Sequence, residues 1–340
     1  MRSTGSRPRP AAKAKPTPAG RGDASLYEEV TRKIIAELEA GRLPWVQPWG
    51  KVPGAALSLP RNGITGRRYS GINILLLWGA VIERGYPSQG WLTFRQALAA
   101  GGCVRRGERG TTVVYADRFT PKAEQARAAE TGEEPGKVAF LKRFTVFNLA
   151  QCEGLQSVDP EPAPLPERQA VPHAEALIAA SGADFRIGGD MAFYAPALDY
   201  VQVPPQPAFA DQINYYRTAF HELSHWTGHA SRLERDQSGV RGGKAYAREE
   251  LVAEMGGAFV CASLAITPTV RHADYIGSWL QVLREDNRAI FRAASQASKA
   301  ADFLLAFAPD AVLGAGDQDA GPIAAPITAS TAPMARELVA

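Results

Sequence analysis

The chain has 340 residues, 45% of them hydrophobic, which is enough for about two packed domains. No apolar run reaches the roughly 20 residues that span a bilayer and no apolar secretory core follows the N-terminus, so neither a membrane span nor a signal peptide is expected, and a cytoplasmic location is. The formal charge of +3 conceals a split: residues 1–150 carry 24 Lys and Arg against 12 Asp and Glu, whereas residues 151–340 carry 14 against 23. The basic half is an electrostatic footprint for a polyanion.

Residues 1–22 hold six Lys or Arg and no acid among many Pro, Ala and Gly, and a disordered basic tail is expected there. Residues 23–150 are expected to form the first domain. Tyr27, Val30, Ile34, Ile35 and Leu38 make an apolar stripe for a helix from Leu26 to about Ala40, stopped by Gly41. Pro44-Trp45 and Pro48-Trp49 follow in a rigid extended stretch. Gly71 to Ile82 suits a buried helix, and Trp91 to Ala99 a further one, closed by Gly101-Gly102. Val113 to Tyr115 and Val138 to Asn148 read as strands on either side of a charged insertion near 121–137.

Four of the six Trp (Trp45, Trp49, Trp78 and Trp91) fall in this half. Arg61, Arg67, Arg68 and Tyr69 cluster in one loop, and Arg105, Arg106 and Arg109 in another that carries Gly107 and Gly110. Aromatic faces beside a cationic groove suit a single strand, since stacking contributes about 1–3 kcal/mol per base and Arg holds the phosphates. No helix-turn-helix or zinc-finger spacing is present for duplex readout. Trp78 and Trp91 are expected in the core. The candidate DNA contacts are Trp45, Arg61, Arg67, Arg68, Tyr69, Asn73, Arg105, Arg106 and Arg109.

Residues 151–170, with Pro160, Pro162, Pro164 and Pro166, are expected to be a semi-rigid linker. Residues 171–308 are expected to form the second domain, and 309–340 a disordered Ala/Pro/Gly-rich tail. Val171 to Ala180 reads as a helix. Phe185 to Ile187 and Ala192 to Tyr194 read as a hairpin turning at Gly188-Gly189, with Tyr200 to Val203 continuing it. Ala273 to about Phe307 reads as one or two amphipathic helices. Three isolated cysteines (Cys103, Cys152 and Cys261) form no disulfide or zinc-thiolate spacing, which fits a reducing compartment. The class is α+β.

The strongest signal lies between these elements. His221-Glu222-Leu223-Ser224-His225 is an HExxH string, and three of the five His of the chain fall between 221 and 229. Residues four apart share one helix face, so His221 and His225 can place two imidazole nitrogens on one zinc ion at about 2.0–2.1 Å. Glu222 then sits beside the metal, placed as the general base that takes a proton from the attacking water. Downstream, Glu250 and Glu254 again share one face of a helix whose apolar positions are Leu251, Val252, Met255 and Phe259. The third ligand is open among Glu250, Glu254 and His229. The metzincin pattern is absent, because Ser231 and Arg232 stand where its third His would fall. Candidates for an oxyanion donor are Tyr246, His229 and Tyr216.

The helix Glu250-Leu251-Val252-Ala253-Glu254 resembles the ExxA[DE] helix of gluzincin metallopeptidases, and that resemblance implies Glu250 as third ligand and Glu254 as the outer partner of a ligand histidine. More widely, Leu43-Pro44-Trp45, Gly66 with Tyr69-Ser70-Gly71-Ile72-Asn73, Trp91-Leu92-Thr93-Phe94-Arg95-Gln96 and Gly107-Glu108-Arg109-Gly110 resemble the N-terminal single-stranded-DNA-binding domain of ArdC-type antirestriction proteins. Tyr216-Arg217-Thr218, His221 to His229, Arg232-Leu233, Tyr246 and Glu249 to Glu254 resemble the zincin-like metallopeptidase domain that follows it. The resemblance covers about residues 25–305. It implies single-stranded DNA of mobile or conjugative elements as partner, interference with restriction, one Zn²⁺ per chain, and a protein substrate or a component of a restriction system. Two classes of function stand side by side: a DNA-binding zinc metallopeptidase, or a non-catalytic DNA-binding protein whose metal domain is structural or an interaction module. Glu222 favours the first, because a structural zinc needs no base beside it.

Overall fold

The computed structural model describes residues 21–45, 58–132, 134–136, 138–155, 171–240, 242–267 and 275–308. The expected basic tail up to residue 20, the Pro48-Trp49 stretch, the expected linker from residue 156 onward and the expected tail from residue 309 lie outside the described residues.

The first half runs α1 (Arg21–Glu39), β1 (Arg61–Asn62), α2 (Ile72–Arg84), β2 (Gly90–Leu92), α3 (Phe94–Ala99), β3 (Cys103–Val104), β4 (Thr111–Phe119), α4 (Lys122–Thr131), β5 (Val138–Asn148) and β6 (Cys152–Glu153). Leu26, Val30, Ile34 and Leu38, one per turn along α1, are all buried. Gly41 follows α1 at φ +68°, a conformation that suits glycine. In α2 the apolar residues run almost all round the helix and bury Ile72, Ile74, Leu75, Leu77, Trp78 and Val81. Strand order is β1-β2-β5-β4, with β1 and β2 parallel and the β4/β5 ladder paired antiparallel from Thr111↔Val146 to Phe119↔Val138. Three expectations change here. Trp91 is a strand residue, paired with Asn148, and the helix begins only after Thr93, whose hydroxyl caps Gln96 in a capping box. The expected short strand at 113–115 extends over 111–119, and the charged insertion carries α4.

The second half runs α5 (Pro172–Ala180), β7 (Asp184–Ile187), β8 (Phe193–Ala195), β9 (Tyr200–Val203), α6 (Asn214–Trp226), α7 (Lys244–Ser263), α8 (Ile276–Glu285) and α9 (Ala289–Leu305). The expected hairpin between β7 and β8 does not form. The order is β7-β9-β8, with β7 parallel and β8 antiparallel to β9. Val201 and Val203 are fully buried while β7 and β8 are partly exposed, so the most apolar strand takes the central place.

Helices α6 and α7 pack closely because Gly256 and Gly257 face α6. A Cβ on Gly256 would lie 2.7 Å from Ser224 Oγ, and one on Gly257 would lie 3.0 Å from the backbone N of His221. The two halves also meet. Trp45 packs edge-on against Trp279 at 5.4 Å, Trp78 against Phe259 at 5.6 Å, and Tyr27 against Phe291 at 4.6 Å. The Thr31 hydroxyl donates to the Asn287 carbonyl at 2.7 Å, and the Gly71 N–H donates to Ser298 Oγ at 2.8 Å. One continuous buried cluster therefore runs from α1 and α2 into α7, α8 and α9. Among the described residues no helix is long and apolar enough to cross a membrane.

Candidate metal centre

The HExxH residues occupy the last two turns of α6, where the 3.6-residue period sets His221 and His225 one turn apart on the face toward α7. The ring centroids lie 4.9 Å apart. From α7, Glu250 reaches between them: its Oε2 is 3.6 Å from His221 Nε2 and its Oε1 is 3.4 Å from His225 Nε2. Donor atoms of these three residues all fall within 4.8 Å of one another. Two ligands at 2.0–2.1 Å from a tetrahedral ion are about 3.3 Å apart, so the observed spacings fit a zinc-sized divalent cation. The donor set also fits chemically, with two imidazoles and one carboxylate leaving a position open.

Both remaining ring nitrogens face carboxylates. His221 Nδ1 lies 3.1 Å from Glu254 Oε1, and His225 Nδ1 lies 3.2 Å from Glu249 Oε1. These contacts leave each Nε2 turned toward Glu250 and fix the ring planes. Each carboxylate is backed in turn by an arginine. Arg217 bonds Glu254 at 2.6 Å, with both side chains almost fully buried. Arg235 bonds both oxygens of Glu249, at 3.0 and 2.7 Å, and also holds Thr227 Oγ1 at 2.8 Å and the Ser224 carbonyl at 2.6 Å. Gln237 donates to the His225 carbonyl at 2.6 Å. The segment after α6 is thus tied across both metal-site helices.

Charge follows from this packing. Burial opposes the imidazolium form, yet the bonds to Glu250 and Glu254 outweigh it and raise His221 to about 9. Against the same burial, Glu249 and Glu250 raise His225 to about 10. Burial would lift Glu249, but His225 and Arg235 hold it down at about 2, and the two histidines hold Glu250 well below the usual carboxylate range. Glu249, Glu250 and Glu254 thus concentrate negative charge around the two imidazoles, which suits a cation.

The centre opens into a cleft of about 560 Å³ lined by Glu222, Tyr246 and Tyr275 and roofed by Met191, Phe193 and Tyr194. Strand β8 is an edge of its sheet and runs along this cleft. It is anchored from behind, where Tyr194 Oη donates to Asp199 at 2.8 Å and Arg232 grips the same carboxylate while stacking 3.9 Å over Trp226. Tyr246 Oη lies 3.3 Å from Tyr275 Oη, and burial, Tyr275 and Glu250 push the Tyr246 phenol up.

Several sequence candidates lie elsewhere. His229 bonds Ser231 Oγ at 2.8 Å and is absent from the cleft lining, so it is not placed as a ligand or oxyanion donor. Tyr216 is fully buried, and its hydroxyl donates to Glu175 at 2.7 Å, away from the cleft. In the basic half, Trp45 is only 2% exposed against Trp279, which removes it as a stacking residue. Asn73 clamps β4, its amide donating to the Val114 carbonyl and its carbonyl accepting from the Val114 N–H, each at 2.8 Å. Tyr69 packs against Leu77, Val81 and Trp91, and burial pushes its phenol to about 12. Arg105, Arg106 and Arg109 are exposed, while Arg61, Arg67 and Arg68 are half-buried. Sequence reasoning missed Glu249 and Tyr275. The available signal for Glu249 was a third acid in the otherwise apolar run 249–262.

Comparison with known proteins agrees with the two halves. Residues 24–147 match the N-terminal domain of anti-restriction factor ArdC, and residues 172–296 match a zincin-like metallopeptidase family. An uncharacterised protein, y4eC, of Sinorhizobium fredii is 42% identical over 291 residues, covering 84% of this chain and 93% of that one. DNA primase TraC of Escherichia coli is 41% identical over 300 residues, which span 83% of this chain but 27% of the primase. Crystal structures of the antirestriction protein ArdC from plasmid R388, metal-free and Mn(II)-bound, superpose with TM-scores of 0.69 and 0.67 at 42% and 40% identity, each covering 83% of this chain and 97% of the other. The chain belongs to the ArdC family of antirestriction proteins.

Proposed function

We propose that this chain is an antirestriction protein of mobile or conjugative DNA that binds single-stranded DNA through its basic half and hydrolyses a peptide bond at one Zn²⁺ in its second half, in the cytoplasm. The observation that carries the catalytic part is Glu222: a buried carboxylate next to a three-donor set, inside an open cleft, beside an edge strand. Zinc held by His221, His225 and Glu250 would bring the pKa of a water to about 7 and polarise the scissile carbonyl. An extended peptide pairs with the edge of β8, which sets its backbone across the cleft. Glu222 accepts the proton of the attacking water and returns it to the leaving amine. The Tyr246 hydroxyl, held by Tyr275, donates to the developing oxyanion. The substrate is a protein, and the family membership makes a component of a restriction system the first candidate.

That the R388 relative has an Mn(II)-bound structure supports a divalent cation for this chain. DNA binding is supported by the charge split and the exposed Arg105, Arg106 and Arg109. The test incubates zinc-loaded wild type and Glu222→Gln with purified restriction components and follows cleavage. In parallel, binding of a single-stranded oligonucleotide is titrated at several salt concentrations. Cleavage by wild type alone supports the reading. Protection of incoming DNA by both proteins, with no cleavage by either, assigns the second half a structural role.

A further inference from the structure

Burial of Trp45, Trp78 and Trp91, all below 3% exposed, leaves the basic half without a tryptophan on its surface among the described residues. Its large exposed apolar side chains are instead Ile64, Phe94 and Leu98, at 51%, 49% and 52%. They are not scattered. Phe94 and Leu98 are four apart on α3 and share one face. Ile64 sits in the loop after β1, and that loop is tied to α3 by Asn62 Nδ2 donating to Gln96 Oε1 at 3.3 Å. The Phe94 ring meets the Phe147 ring of β5 edge-on at 6.5 Å. Gly110 closes the other side of Phe147: a Cβ there would lie 3.1 Å from the ring tip.

This aromatic pair therefore stands between two cationic loops. One carries Arg61, Arg67 and Arg68, the other Arg105, Arg106 and Arg109, and Arg95 lies on α3 itself. Within 61–68, 94–99 and 105–110 there are seven arginines and one carboxylate, Glu108, which Arg105 and Gln151 already hold at 2.7 and 2.9 Å. An apolar patch on a monomer surface marks a binding site. Uniform positive charge on both sides selects a polyanion with apolar faces to offer, which is a single strand with unstacked bases; a duplex hides those faces.

We propose that Phe94, supported by Phe147, is the platform on which bases of single-stranded DNA stack, with the flanking phosphates held by the Arg67/Arg68 and Arg106/Arg109 loops. This rests on the DNA-binding reading above and assigns its contact residues. Phe94 is half exposed at the start of a short helix, so its removal leaves the core intact. Leu98, one turn further along the same face of α3, borders the platform and excludes water from the stacked base.

The experiment uses the full chain and a labelled oligothymidine of about 20 nucleotides, longer than a 4–16-nucleotide site, read by fluorescence anisotropy. Phe94→Ala should weaken binding about 5- to 150-fold, the range of one base stack removed, with an unchanged slope of log K against log salt. Phe94→Trp should restore affinity. Arg106→Ala with Arg109→Ala should instead flatten the slope by about 0.7 for each phosphate no longer held. If Phe94→Ala binds like wild type while the arginine variant weakens, the platform is wrong and DNA binding by this half stands. If wild type does not bind the oligonucleotide, both fall. If Phe94→Ala abolishes a dimer seen by sedimentation and leaves DNA affinity unchanged, the patch is a contact between copies of the chain and the platform is overturned.

Discussion

Glu249 Oε1 lies 3.2 Å from His225 Nδ1, and the Nε and Nη2 of Arg235 donate to the two oxygens of the same carboxylate, so the orientation of one candidate metal ligand is set by a residue ten positions further along the chain. The other ligand histidine has the same arrangement from a different part of the fold, with Glu254 on its Nδ1 and Arg217 behind. The two pairs differ in burial and in what they hold, and they give separable outcomes.

Glu249→Gln should lower metal affinity by roughly 10–100-fold, the usual effect of losing the outer partner of a ligand histidine. Arg235→Ala should act in the same direction, since it frees Glu249 and the turn after α6 together. Competition for Zn²⁺ with a chromophoric chelator measures both. Unchanged affinity in Glu249→Gln would remove Glu249 from the site.

Arg217→Met takes the guanidinium away from buried Glu254, leaving only His221 beside it, and should destabilise the fold by up to about 3–5 kcal/mol. Denaturant unfolding of the metal-free protein reads this directly. Adding Glu254→Gln to the same chain should recover part of the loss, because the buried charge that Arg217 balanced is then gone.

Glu222→Gln should retain one bound zinc and lose hydrolysis, because the amide keeps the shape of the side chain but cannot take a proton. His225→Ala should lose metal and hydrolysis together. Metal analysis of the purified variants, run beside the cleavage assay, separates the two. Retained proteolysis in Glu222→Gln would end its assignment as base.

A fragment ending at residue 150 should fail to fold independently. It would expose the faces of Trp45, Trp78 and Tyr27 that now meet Trp279, Phe259 and Phe291. Circular dichroism and sedimentation of residues 23–150 check this. A monomeric, cooperatively melting fragment would show that the shared cluster is dispensable.

The centre of the site was legible because its code is local. His221 with His225, and Glu250 with Glu254, each sit one helical turn apart, and that spacing alone places each pair on a common face. Glu249 was not legible, since its role depends on Arg235, which reaches it only through the path of the chain between α6 and α7. The same limit explains Trp45. A Trp after Pro44 in a basic half looks available for stacking until Trp279, 234 residues away, arrives against it. Gly188-Gly189 carries the chemistry of a tight turn, and the sequence around it is right for one; it is the insertion of β9, a non-local event, that separates β7 from β8. Phe94 hid for the opposite reason. Periodicity made it part of a helix, and only the packing of β5 alongside brings Phe147 to its ring.

The paired glycines of α7 have a reach beyond packing. With hydrogen as the side chain at 256 and 257, α6 and α7 approach until donor atoms on opposite helices stand 3.4–3.6 Å apart. Calcium, at 2.3–2.6 Å from its oxygen ligands and with six to eight of them, requires a wider and more crowded cage. The interhelix gap at the candidate ligands is therefore set by residues about two turns away from them. Gly256→Ala would press on Ser224, widen the gap and tilt the site toward larger cations without touching a single ligand.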